Sequence, residues 1–171
     1  MCEAGVAEYP EIPEFIKNLM ASGIPIDEIR IDQEGRWFHN GEPFLNKQVI
    51  EFFNRSVDVT EEGDYVIHYG DFVYPIVVED TPVFVTGVRY TGFGEFEKVY
   101  LTLSTGESEE LNPDLLFFRA NNCLYTMVRN GLLPARFKRS PSFHILDRLE
   151  ESDDIFYLRI CGKRIVLKEK V

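Results

Sequence analysis

Tyr65-Val66-Ile67-His68-Tyr69-Gly70-Asp71-Phe72-Val73 places β-branched and aromatic residues on both sides of a Gly-Asp pair. Such a run predicts two strands, at 65–69 and 72–78, folded back at Gly70-Asp71. The same composition continues outward at 83–90 and 99–104. Asp80-Thr81-Pro82 and Gly92-Phe93-Gly94 separate these runs as turns. Upstream, Val49, Ile50, Phe52 and Phe53 recur at helical spacing and predict a helix over 47–56, with Asn46 as its N-cap. Before it, Ile29 and Ile31 alternate with Arg30 and Asp32. Glu34-Gly35 then turns, 36–39 returns as a strand, and Asn40-Gly41 turns again. A first helix is predicted over 12–22 from Phe15, Ile16, Leu19 and Met20, with Gly23 as its C-cap.

Downstream, 117–119, 124–129 and 133–138 read as strands. Pro141 opens a helix predicted from Ser140 to about 151, with Phe143, Leu146 and Leu149 on its buried side. A last hairpin, 155–160 with 164–167, turns at Gly162. Each half thus contains a hairpin, a short helix and a second hairpin. Tyr65, Gly70 and Val73 align with Tyr157, Gly162 and Ile165 at one constant spacing. The expectation is an α+β protein of two duplicated β-rich halves. The division is a helix and linker at 1–27, a first half at 28–82 and a second half at 83–171.

Composition narrows the function. The 171 residues are 44% hydrophobic and 27% charged, which is globular composition. A net charge of -11 opposes general binding to nucleic acid. No apolar run approaches the ~18–20 residues that span a bilayer, so no membrane partner is expected. Cys2, Cys123 and Cys161 form no C-x-x-C pair, and no signal peptide is evident. Free thiols and no leader point to the cytoplasm. His39, His68 and His144 are far apart in sequence and predict no metal site. No cofactor motif is present.

Several segments carry candidate chemistry. Trp37-Phe38-His39-Asn40-Gly41-Glu42-Pro43 holds the only Trp. It reads as a packed hairpin or as an aromatic wall beside a proton-transferring His. Val78-Glu79-Asp80-Thr81-Pro82 offers two acids at a strand end, as turn caps or as hydroxyl acceptors. Asn121-Asn122 reads as a turn or as an amide pair facing a polar ligand. Arg136-Phe137-Lys138-Arg139-Ser140-Pro141 leads basic side chains into a helix N-terminus, where backbone N–H groups favour an anion. Alternation puts Arg136 and Lys138 on one face. The segment after Gly131 is net basic in an otherwise acidic chain.

Taken in order, these pieces resemble a bacterial family, domain-of-unknown-function family 1285. The matching stretches are Ile29-Arg30-Ile31-x-x-x-Gly35-x-Trp37-Phe38-His39-x-Gly41-x-Pro43, then Val78-Glu79-Asp80-Thr81-Pro82. Pro141-Ser142-Phe143-x-x-Leu146 and a final glycine hairpin follow. The chain departs where Val83 precedes Phe84 and where Ala120-Asn121 replaces a Thr-Asn pair. The resemblance implies a duplicated α+β arrangement whose second half is similar to a pleckstrin-homology-like barrel. It also implies a nucleotide-like ligand in the cleft between halves and a signalling role. Carried over by position, Trp37, His39, Gly41, Glu79, Asp80 and Pro82 fall in the family motifs.

The leading expectation is a ligand-binding or sensor domain. Arg136, Lys138, Arg139 and Ser140 would meet a small anion, Trp37 would stack, and Glu79 or Asp80 would accept hydroxyl protons. One alternative is a small hydrolase using His39 with Glu79 or Asp80 as acid and base. The other is a protein-interaction module with an apolar surface patch and an unspecified partner.

Overall fold

The computed structural model describes residues 28–171, so the helix expected over 12–22 lies outside the described residues. The first unit begins with β1 (Ile29–Ile31), β2 (Trp37–His39) and β3 (Glu42–Pro43). Helix α1 (Lys47–Ser56) follows, then β4 (Val57–Val59), β5 (Tyr65–Tyr69), β6 (Phe72–Pro75) and β7 (Val77–Val78). A meander comes next: β8 (Val83–Thr91), β9 (Lys98–Leu103) and β10 (Ser108–Glu110). The second unit holds β11 (Phe117–Phe118), β12 (Leu124–Val128), β13 (Leu133–Phe137) and α2 (Arg139–Leu146). It ends with β14 (Leu149–Ser152), β15 (Ile155–Ile160), β16 (Lys163–Val166) and β17 (Lys168–Glu169). The protein is α+β, as the alternation of strand runs with a few helices requires.

Strand order shows the duplication directly. The first sheet runs β3-β2-β1-β7, and one end of the seven-stranded sheet runs β13-β12-β11-β17. In both, the first strand pairs antiparallel with the second and parallel with the last. The meanders β4-β5-β6 and β14-β15-β16 match as well. The equivalence sits one residue away from the one expected from Tyr65 and Tyr157. Val57 pairs with Ile67 as Leu149 pairs with Leu158. Ile67 and Leu158, both 0% exposed, are therefore counterparts. The sequence alignment would match Ile67 with the exposed Arg159. A slip of one residue moves every side chain to the opposite face, so burial decides the register. Gly70 then matches Cys161, and both take a left-handed φ.

The β8–β10 meander adds to the second unit because β8 pairs parallel with β13. The seven-stranded sheet this completes curls into a half-barrel. A single cluster of buried side chains draws Ile29, Ile31, Trp37 and Phe53 from the first unit and Phe84, Leu124, Ile145 and Leu158 from the remainder. Burying each such side chain stabilises the fold by about 1.5–3 kcal/mol.

Helix α1 matches its expected range, and Asn46 Oδ1 accepts from the backbone N–H of Gln48 at 2.9 Å and of Val49 at 3.3 Å. Helix α2 departs from expectation at both ends. It starts at Arg139, with Lys138 as an N-cap that makes no side-chain cap bond. It stops at Leu146, and Leu149–Ser152 is strand β14, paired with β15. Asp153 and Asp154 both have left-handed φ, so they form a hairpin turn that needs a strand on each side.

Candidate functional site

The site is built from a turn, a strand and a helix start. Asp32 is buried at the end of β1. Its Oδ1 accepts from the N–H groups of Glu34 at 2.9 Å and Arg36 at 2.8 Å, and its Oδ2 accepts from Arg36 Nε at 2.8 Å. Burial pushes this carboxyl up, but the bonds to Arg36 and Glu34 outweigh it and hold it below the usual range. The turn so fixed includes Gly35 at φ +81, where a Cβ would lie 2.9 Å from Phe84 Cε2. That close approach brings two backbone carbonyls against β13. Arg136 Nη1 donates to Gln33 O at 2.7 Å, and Lys138 Nζ donates to Glu34 O. Arg136 and Lys138 do share a face, as alternation predicts.

Asp80 gathers a second set of partners. Its side chain is only 10% exposed. Arg119 Nη1 donates to Oδ1 at 2.8 Å, and Tyr125 OH donates to Oδ2 at 2.7 Å. Arg136 Nη1 lies 3.5 Å from the same Oδ2. Asn121 Nδ2 donates to Tyr125 OH at 2.6 Å. Asp80, Asn121 and Arg136 thus converge, but as an internal tie between the units. The turn bond expected of Asp80 is made instead by Thr81, whose Oγ1 donates to Val83 O at 3.0 Å. Pro82 is buried behind it.

A cavity of about 460 Å³ opens beside this tie. Arg136, Lys138 and Arg139 line it together with Phe84, Phe143 and Leu146. Cys123 and Ser142 also border it, while the exposed Ser140 does not. Lys138 Nζ lies 4.2 Å from the Phe84 ring centroid, and the Arg139 guanidinium lies 5.7 Å from that of Phe143. Among the described residues neither Lys138 nor Arg139 forms an ion pair. Burial pushes the Lys138 ammonium below its usual range, opposed by the Glu34 charge and reinforced by Arg136.

The remaining candidates lie elsewhere. Trp37 is 1% exposed, packs against Phe53 at 5.1 Å and donates from Nε1 to Asn54 Oδ1 at 2.8 Å. Its ring offers no stacking face, because the core covers both sides. Asn40 and Gly41 form the β2–β3 turn, and both have positive φ. His39 pairs across from Ile29 and contacts the Phe44 ring, on the Trp37 face of the sheet. Glu79 follows Val78, which pairs with Ile31, so its side chain points to the opposite face and meets Arg30. Asp80 is committed to Arg119 and Tyr125. The acid–base pair of His39 with Glu79 or Asp80 therefore does not form.

Another cavity, about 580 Å³, lies between the Gly94–Phe96 turn, the end of α2 and the β15–β16 hairpin. Its cations are neutralised: Arg148 by Glu97, Arg159 and Arg164 by Glu150, Lys163 by Asp114. Burial pushes Glu97 up, but Arg148 at 2.6 Å and the Cys161 N–H at 2.9 Å outweigh it and hold its pKa low. A carboxyl lowered on folding stabilises above its unfolded pKa, and that stability is lost as pH falls through the folded value. Asp32 and Glu97 should both act in this way. Urea midpoints are expected to fall on acidification below about pH 4. Glu97→Gln should flatten that fall, and an unchanged slope would show that Glu97 is not a contributor.

Sequence reading did not single out Arg119, Tyr125, Glu34, Cys123 or Leu146 for this region. Arg119 beside the Asn121-Asn122 turn was a usable signal. Glu34 was not, because it acts chiefly through its backbone carbonyl.

Two solved structures share this fold. A DUF1285 family protein from Silicibacter pomeroyi DSS-3 matches with a TM-score of 0.65 and 23% identity, covering 82% of this chain and 79% of that one. A DUF1285 family protein from Shewanella baltica OS155 matches with a TM-score of 0.53 and 15% identity, covering 72% of this chain and 92% of that one. The chain therefore resembles DUF1285 family proteins in fold. No protein-family model matches the chain, and no curated protein matches it. Among the described residues no helix is long and apolar enough to cross a membrane.

Proposed function

We propose that this protein is a ligand-binding or sensor domain that holds a small anion in the cavity at the start of α2. One observation carries the reading: Lys138 and Arg139 border the same cavity, and among the described residues no carboxylate lies in ion-pair range of either. A half-buried ammonium whose direct contacts are a carbonyl and an aromatic face, with Glu34 acting only at longer range, is under-compensated. An incoming anion would supply the missing charge, helped by the uncapped N-terminus of α2. Arg136 acts differently. Asp80 and Gln33 O hold it in place, so it braces the wall.

Groups kept for binding are often neutral or costly for stability. Lys138→Met is expected to leave the melting temperature unchanged or slightly higher without ligand. The same change should weaken anion binding by about 10–100-fold, the worth of one charge-assisted hydrogen bond.

The test is a thermal-shift screen against carboxylates, phosphates and nucleotides at low and moderate salt, combined with maleimide labelling of Cys123. A salt-sensitive rise for one class, lost in Lys138→Met and in Arg139→Ala, supports the site. The same ligand should slow labelling of Cys123 but not of Cys161. A flat screen rejects it. Phe93 and Phe96, 90% and 84% exposed on one short turn, favour protein docking as the second reading.

A further inference from the structure

We infer that the ligand is an amphipathic anion, with one charged head group on an apolar body of about ring size. This rests on the anion-pocket reading and specifies its ligand. Cationic and apolar side chains line the same cavity. Its apolar lining comprises the buried Phe84, Leu124 and Phe137, the half-buried Leu146 and the exposed Phe143. Phe143 is 60% exposed although it lies on a short helix with a buried face at Pro141 and Ile145. An exposed aromatic ring bordering a cavity that Lys138 and Arg139 also line is poorly placed for stability and well placed for an apolar ligand. Arg139 already lies over that ring, so the cationic and apolar parts of the site are adjacent.

Charge limits the head group. Arg136 is answered by Asp80 and Glu34, with Glu34 Oε1 3.4 Å from Arg136 Nη2. Among the described residues Lys138 and Arg139 remain without an ion pair, and Glu34 lines the same cavity. A carboxylate or a single phosphate matches that charge. A triphosphate brings about twice as much negative charge, and Glu34 repels the excess. A bare hydrated ion balances the charge but leaves the apolar wall uncovered.

Calorimetric titration of the full chain with phenyl phosphate, inorganic phosphate, benzoate, acetate and ATP tests the inference. Phenyl phosphate should bind at least tenfold more tightly than inorganic phosphate, and benzoate more tightly than acetate. Phe143→Ser should close both gaps. The side chain is largely exposed, so the variant should fold, and its circular dichroism checks this. Equal affinities, a gap that survives Phe143→Ser, or ATP as the tightest ligand would overturn the inference. Phosphate binding that needs Lys138 but ignores the ring would leave the anion reading standing alone. No binding by any of the five probes would overturn both.

Discussion

Trp37→Ala is expected to lower unfolding stability by about 3–5 kcal/mol, the range for removing a large aromatic from a packed core. The indole joins β2 to α1 through Phe53 and through its bond to Asn54. Its loss opens a cavity between β2 and α1 and strands the Asn54 carbonyl oxygen. Trp37→Phe should cost less, since most of the ring volume remains and only the bond to Asn54 is lost. Trp37 is the only tryptophan in the chain, so its own fluorescence reports unfolding. Urea titration of Trp37→Phe and Trp37→Ala, followed by circular dichroism, checks the order. A loss below about 1 kcal/mol for Trp37→Ala would contradict its place in the core. Ligand titrations add a second check, because anions should leave the wild-type tryptophan emission almost unchanged.

Asp80→Ala is expected to be comparably severe, again about 3–5 kcal/mol. The nearly buried carboxylate serves Arg119, Tyr125 and Arg136 together. Its removal leaves two guanidinium groups facing each other and a buried phenol without its acceptor. The attraction gained by forming such a cluster is largely offset by desolvation, so the damage comes from breaking it, not from its net worth. Asp80→Asn should be milder, because an amide oxygen can still accept from Tyr125. Denaturant midpoints for Asp80→Ala, Arg136→Met and the double variant test the coupling. A double variant equal to the sum of the singles would show that the two residues do not act together. Arg136→Ala is for the same reason a poor probe of binding, since it disturbs the tie between units. Lys138→Met and Arg139→Ala probe the cavity without touching that tie.

Much of the site's raw material was legible. Alternation placed Arg136 and Lys138 on one face, and Pro141 marked a helix start beside them. The partners of these cations were not legible. Asp80 reaches Arg119 across 39 residues and Tyr125 across 45. The parallel pairing of β13 with β8, which has no local sequence signal, brings them together. Trp37 and His39 looked like a site because a hairpin lists residues without saying which face is covered. The sheet order settles that, placing His39 and Glu79 on opposite faces.

Turn chemistry and apolar spacing act within a few residues. The hairpins, α1 with its Asn46 cap and the repeated α+β plan could therefore be read from the chain itself. Charge neutralisation acts through space. Nine basic residues follow Gly131, and nothing in their spacing tells Arg148, which meets Glu97, from Arg139, which meets no carboxylate among the described residues. The register of the second meander has the same origin, since burial of Leu158, not the position of a glycine, sets it. Only packing between distant strands determined which cations, among the described residues, were left without an ion pair beside an open, partly apolar cavity.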